Sequence, residues 1–270
     1  MKNTCRETSE LLGNLEAGIA TRVLGHKLHV FMEVDSTNDV AVRLARDGAE
    51  QGEVVVADAQ KKGKGRMGRS WESPAGCNIY MSVILKPNMP PKRLPLITLM
   101  TAVACAEAIG NVTRIVPTIK WPNDVLVGGK KLAGIRTETG VGADRGQFVI
   151  VGIGINVNVS RGSLPEPIRN LATSLREELG QEVSRVALIR ECLGKMDVWY
   201  TRLAEGKEDE LRRRWESLSQ VKGRRVEVTC MGEVVRGRAL GIDEDGALLI
   251  QACGNELRRV VAGDVTLSGW

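Results

Sequence analysis

Residues 61–71 read Lys61-Lys62-Gly63-Lys64-Gly65-Arg66-Met67-Gly68-Arg69-Ser70-Trp71 and carry the spacing G-x-G-x-x-G over 63–68. That spacing marks a dinucleotide-binding turn when a strand precedes it, a helix opens at it, and an acid follows roughly twenty positions on. EVVVADAQ (53–60) supplies the strand. The helix is missing, because Pro74 and Gly76 stand where it would continue, and proline in a helix interior costs about 3 kcal/mol. The region that would hold a ribose reads MSVILKPN (81–88) and contains no acid. A P-loop fails too, since Gly68 is followed by Arg69 and not by Lys and Ser/Thr. The dinucleotide and P-loop readings are thereby excluded, and the loop must be read from its cations.

Lys61, Lys62, Lys64, Arg66 and Arg69 crowd a segment whose glycines let the backbone approach a ligand closely. Backbone N–H groups and cations together make an anion site, and arginine adds planar paired donors that match phosphate or carboxylate oxygens. Trp71 stands ready to cover or stack on a ring. The plain alternative is a solvated basic loop beside a core tryptophan. Glycines and repelling like charges predict a mobile segment.

Working outward, KLHVFMEV (27–34) reads as a strand, and Asp35-Ser36-Thr37-Asn38 offers capping residues before VAVRLARDG. In that run Val40 and Leu44, and Ala41 and Ala45, fall one helical turn apart, and Gly48 closes the helix. CNIYMSVIL (77–85) is a strand, and Leu94 to Ile109 has the length and alanine content of a buried helix. TIK (118–120), VLV and LAGIRTET form short strands joined by WPND and GGKK turns, and QFVIVGIGINVNV (147–159) is a long buried strand. A helical pattern runs through Val183, Ile189, Met196 and Leu203 and continues in LRRRWESL (211–218). From Val221 the texture turns to short alternating strands (RRVEVTC, EVVRGRALGI, GALLIQA, LRRVVAGDVTL) separated by turns, as in a small barrel.

The 270 residues suffice for one large domain with a satellite. Aromatics are only 3%, so the core is built from Val, Ile, Leu and Ala, and the formal net charge of +5 suits anionic substrates or weak nucleic-acid affinity. The polar start and the lack of a run of about 18 apolar residues predict neither signal peptide nor membrane span. Cys5, Cys77, Cys105, Cys192, Cys230 and Cys253 are scattered without a C-x-x-C pair, which argues against a zinc site or a dense disulfide framework. His26 and His29 read as ordinary strand residues, so a cytoplasmic protein whose chemistry does not use histidine is expected.

Three further sets stand out. Lys120-Trp121-Pro122-Asn123-Asp124 places bulky and charged residues where a plain turn needs only Pro-Asn-Asp. Lys131 follows the tight Gly128-Gly129-Lys130 turn and precedes Leu132-Ala133-Gly134. Gly152 and Gly154 lie in an apolar strand ending at Asn156, which suggests close approach by a ligand or another backbone, with packing as the alternative.

Taken together these residues resemble the biotin protein ligase family. The matching elements are Asp35 to Asn38, Gln60, the loop over 63–71, Ser73-Pro74, Gly76 to Tyr80, Lys120 to Asp124, Lys131 to Ile135, and Gly152 to Asn156. They occur in the family's order over roughly 33–160, and the tail resembles its SH3-like C-terminal domain. The resemblance implies an α/β (α+β) fold: a mixed β-sheet flanked by helices, then a small SH3-like β-barrel. It divides the chain into a lead-in (1–25, a short helix), a catalytic biotin- and ATP-binding domain (26–220) and a C-terminal domain (221–270).

The implied activity is formation of biotinyl-5'-adenylate from biotin and ATP, then transfer of biotin to a lysine of the biotin carboxyl carrier domain of a carboxylase. In that scheme Ser36, Thr37, Asn38 and Gln60 face the biotin head group, and Lys64, Gly65 and Arg66 close over its carboxylate and the phosphates. Lys131, beside Gly134, touches both carboxylate and α-phosphate, making Lys131 and Arg66 the catalytic pair. Gly63, Arg66, Arg69, Trp71, Asn123, Lys131 and Asn156 serve ATP and the adenylate. Mg2+ arrives with ATP, without direct protein ligands.

Bringing a carboxylate against polyphosphate needs fixed cations and no nucleophilic side chain, which fits a chain without a Ser-His pair. Two departures stand out: Lys64 replaces the family's usual Arg, and Arg136 stands where an apolar or small residue is commoner. Only 34 residues precede Asp35, so a ligase that does not bind DNA is expected, as a monomer or a homodimer. Rival readings are a lipoate ligase or octanoyltransferase, and a nucleic-acid-binding module. The last would need aromatics interleaved with the cations as stacking platforms, and the chain has only two Phe and two Tyr.

Overall fold

The computed structural model describes Leu15 and residues 18–143, 146–230 and 232–267. Most of the lead-in expected over 1–25 lies outside them. Where residues 18–27 are described they turn and bend without forming a helix. The reason is local: the amides of Arg22, Val23 and Leu24 donate to the buried Asp197 carboxylate at 2.9, 2.8 and 2.9 Å, not to carbonyls of their own segment.

The chain then runs β1 (Leu28–Val34), α1 (Thr37–Arg46), β2 (Val54–Gln60), β3 (Ile79–Leu85), α2 (Pro95–Thr113), β4 (Thr118–Lys120), β5 (Asp124–Val127), β6 (Lys130–Val141) and β7 (Gln147–Ile155). These strands form one mixed sheet in the order β1-β2-β3-β7-β6-β5-β4. Only β1 and β2 pair in parallel, because α1 supplies the crossover that parallel strands require. β7 stops at Ile155, short of the expected 159. There the Asn156 amide turns to Leu132 O and its carbonyl accepts from Leu175 N, which ends the ladder.

The central strands bury both faces. Val54, Val56, Val83, Leu85, Val149 and Val151 enter the main core with α2, while Val55, Ile84, Phe148 and Ile150 meet Val40, Ala41 and Ala45 of α1 on the other face. The turn before α2 and the helix itself (Pro91–Thr113) are long and apolar enough by composition to cross a membrane, although sequence reading found no such run, and 72% of the apolar window is buried within the protein. Its position as the core helix accounts for that composition.

Downstream come α3 (Glu166–Arg169), α4 (Leu175–Leu179), α5 (Arg185–Ala204) and α6 (Glu208–Leu218). α5 and α6 are separate helices because the chain breaks at Gly206, with φ +76. The tail forms a five-stranded antiparallel sheet of β8 (Arg225–Cys230), β9 (Glu233–Ile242), β10 (Leu248–Gln251), β11 (Leu257–Val260) and β12 (Asp264–Leu267), in the order β11-β10-β9-β8-β12. The last run, read as one strand, is two, because β11 pairs with β10 and β12 with β8. Trp121, 1% exposed, fastens this sheet to the larger one by donating from Nε1 to Gly246 O at 3.1 Å.

One carboxylate ties the fold to pH. Glu53 is buried, with His29 Nε2 at 2.6 Å, Lys27 Nζ at 3.1 Å and the Glu50 amide at 2.8 Å. Burial alone would raise its pKa, but these partners win and draw it from 4.5 down to about 2. A depressed carboxylate stabilises the fold above its unfolded pKa and loses that contribution as pH falls through the folded one. Glu53→Gln is therefore expected to lower the melting temperature at pH 7, with the gap to wild type closing between about pH 4.5 and 2. Thermal melts across that window check it; a gap of constant size would count against the linkage.

Candidate functional site

The site is built on the α1 face of the sheet. Strand alternation puts Gly134, Arg136 and Glu138 of β6 on that face, and register sets Gly134 opposite Gly154, Arg136 opposite Gly152, and Gly152 opposite Ser82 of β3. The strand glycines make room for side chains and not for another backbone. A Cβ on Gly152 would lie 2.0 Å from Asn38 Oδ1, one on Gly154 2.5 Å from Trp71 Cε2, and one on Gly134 2.9 Å from Trp71 Cζ3.

Ser36 is the N-cap residue of α1, but its side chain makes no capping bond. Thr37 and Asn38, buried in the first turn, also turn away from capping. The Thr37 hydroxyl and amide donate to Gln60 Oε1 at 3.2 and 2.9 Å, and Gln60 Nε2 donates to Ser73 Oγ at 2.9 Å. Ser82 Oγ lies 2.8 Å from Thr37 Oγ1 and 2.7 Å from Asn38 Oδ1, while Asn38 Nδ2 donates to Glu138 Oε1 at 2.7 Å. Burial alone would raise the Glu138 carboxyl, but hydrogen bonds from Arg136 and Asn38, with Lys64 nearby, hold it below its ordinary value.

The cations of the basic loop are paired with carboxylates on both sides of it. Lys61 meets Glu33 at 2.8 Å, Lys62 meets Asp35 at 3.0 Å, and Lys64 meets Asp39. Arg69 forks onto both Asp264 oxygens at 2.9 and 2.8 Å, and Arg66 donates to Asn123 Oδ1 at 2.6 Å with Asp264 at 4.0 Å. Four carboxylates, from β1, the turn after it, α1 and β12, thus face the five cations, with Asp264 shared by Arg66 and Arg69. Burial pushes the Arg66 guanidinium below its ordinary value, against the pull of Asp264 and Asp124.

Two clefts meet here. The first is lined by Ser36, Thr37, Asn38, Gln60, Lys64 and Gly65, with Arg136, Gly134, Gly152 and Gly154 on the sheet. The second runs past Arg69, Lys120, Asp124 and Asn156 to Val265–Leu267. Both share Gly65, Arg66, Trp71, Asn123 and Lys131. Lys131 Nζ stands 5.4 Å from the Trp71 ring centroid and 2.7 Å from Asp124 Oδ1, with Lys120 at 3.6 Å from the same carboxylate. Trp71 Nε1 is buried against Gly154 with no hydrogen-bond partner. Asn156 Nδ2 donates to Thr173 O at 3.1 Å.

Of the residues singled out from sequence, Gly63 lines neither cleft. A Cβ there would lie 2.3 Å from Trp71 O and 2.6 Å from Ser73 Oγ, so this glycine serves loop packing. Sequence reading missed Ser82, Glu138 and Asp264 as fixing partners. Ser82 left a signal, as the lone hydroxyl in the apolar strand IYMSVIL; Asp264 left none, because it comes from a different sheet.

The family model described as "Biotin/lipoate A/B protein ligase family" matches residues 30–156, and that described as "Biotin protein ligase C terminal domain" matches 222–268. The chain is 36% identical over 251 residues to "Bifunctional ligase/repressor BirA" of Bacillus subtilis, covering 93% of this chain and 77% of the relative. It is 32% identical over 250 residues to "Biotin--[acetyl-CoA-carboxylase] ligase" of Mycobacterium tuberculosis, covering 88% of each. Among solved structures, the biotin protein ligase from Aquifex aeolicus in complex with biotin and ATP matches with a TM-score of 0.79 at 31% identity, over 90% of this chain and 99% of that one.

Proposed function

Because this chain belongs to the biotin protein ligase family and is a ligase, we propose that it joins biotin to ATP as biotinyl-5'-adenylate. It then transfers the biotinyl group to a lysine of a biotin carboxyl carrier domain. The observation that carries this reading is the shared wall of the two clefts. Arg66 and Lys131 stand where an acid in one cleft would meet a phosphate in the other.

The buried triad of Ser36, Thr37 and Asn38, with Gln60, faces the biotin ring system. Ser82, Ser73 and Glu138 hold these side chains in place beforehand, so little rotamer entropy is lost on binding. Lys64, Gly65 and Arg66 lie over the carboxylate. Arg69, Trp71, Asn123 and Asn156 serve the nucleotide. A carboxylate oxygen attacks the α-phosphorus and the bond to pyrophosphate breaks. Lys131 and Arg66 offset the charge repulsion, with Lys131 exchanging its Asp124 partner for substrate oxygens. Mg2+ enters with ATP on phosphate and water oxygens. In the second step the acceptor amine attacks the acyl carbon and AMP leaves. The C-terminal sheet, read as the family's SH3-like domain, contributes Asp264 to hold the loop.

Exchange of labelled pyrophosphate into ATP tests this directly. Exchange that requires biotin is expected; equal exchange with lipoate, or with no acid, would overturn it.

A further inference from the structure

Arg136 is one of two departures from the family pattern, and its surroundings give it a definite task. It projects from β6 on the cleft side, cross-strand from Gly152, over whose bare backbone the Asn38 side chain packs. Its Nε donates to Glu138 Oε1 at 3.1 Å, and its Nη1 donates to the carbonyl of Gly65 in the basic loop. Glu138 in turn accepts from Asn38 Nδ2 at 2.7 Å. A single guanidinium therefore spans from the loop backbone to the carboxylate that orients a head-group residue. Apart from Arg66, which is 22% exposed and donates to Asn123 Oδ1 and the Gly263 carbonyl, the other side-chain anchors of the loop are of a different kind. Lys61, Lys62, Lys64 and Arg69 are exposed ion pairs, which contribute roughly 0–1 kcal/mol each. The Arg136 side chain is only 27% exposed and donates to loop main chain as well as to Glu138.

We propose that Arg136 is a positioning residue that latches the 63–70 loop shut at Gly65 and couples that closure, through Glu138, to the orientation of Asn38. The consequence for catalysis rests on the adenylate-forming reading above: the latch sets how long the activated acyl group stays enclosed. An apolar side chain at this position can pack against the loop but cannot hold its carbonyl.

The test compares wild type with Arg136→Leu and Arg136→Lys. In ligand-free protein, amide hydrogen exchange of the 61–71 segment is expected to speed up about tenfold in Arg136→Leu, the scale of one lost charge-assisted hydrogen bond. Exchange over residues 233–242 should stay as in wild type. Release of preformed biotinyl-adenylate, followed by chase, should accelerate by a similar factor. Arg136→Lys should fall between the two, since one ammonium keeps the charge but not the paired reach. It also carries the comparison if the leucine variant loses its cooperative melt. Wild-type loop exchange in both variants would overturn the latch. A wild-type protein that forms no adenylate would instead overturn the functional reading, while loop exchange still decides the role of Arg136.

Discussion

Lys131→Ala is expected to slow adenylate formation by about 10²–10³-fold, the range seen when one preorganised donor to a developing charge is removed. Lys131 is, with Arg66, one of two cations common to both clefts, 34% exposed and held beside Trp71 and Asp124. Its loss should leave the fold intact. Asp124 keeps Lys120 at 3.6 Å as a counter-charge, and surface substitutions away from the core usually change stability by no more than about 0.5 kcal/mol. Single-turnover formation of the adenylate and a thermal melt check the two halves. Wild-type turnover in a folded variant would remove Lys131 from the chemistry.

The second large effect is steric. In Gly154→Ala the new methyl would stand 2.5 Å from Trp71 Cε2 and 2.6 Å from Nε1. A rigid indole cannot give way by rotating a flexible tip, so it must shift out of the wall between the clefts. Overpacking of this kind costs typically 1–3 kcal/mol, which corresponds to roughly 5–150-fold in an equilibrium constant. Affinity for biotin and for ATP, titrated separately, should both fall within that range. Trp71→Leu supplies the control: adding Gly154→Ala in that background should cost nothing further, because the clashing ring is gone. Equal losses in both backgrounds would mean the glycine matters for another reason.

Much of this could be read along the chain. The Pro74 and Gly76 breaks after the glycine loop ruled out the dinucleotide turn, and alternation located the strands of both sheets to within a few residues. The candidate residues on α1, the loop and β6 converge on the two clefts save Gly63, Lys61 and Lys62, the two lysines pairing with Glu33 and Asp35 instead. Where reading failed, the competing force was non-local. Residues 18–27 do not form a helix because Asp197 takes their amides from a distant helix. Thr37 and Asn38 look like caps, yet their side chains serve Gln60, Ser82 and Glu138. The loop's five cations look self-repelling until Glu33, Asp35, Asp39 and Asp264 are set against them.

The sequence by itself determined the elements and the chemical inventory: which runs alternate, where turns must fall, and which cations and glycines gather in one loop. Those properties follow from backbone geometry and residue type, which act over a few positions. Tertiary structure alone decided the pairings. The order β3-β7-β6 brings Ser82, Gly152 and Arg136 side by side, and docking of the C-terminal sheet brings Asp264 to Arg69. No local pattern encodes which strand lies next to which. Arg136 shows the difference most clearly: its presence is plain in the sequence, while its hold on the Gly65 carbonyl exists only because β6 passes beneath the loop.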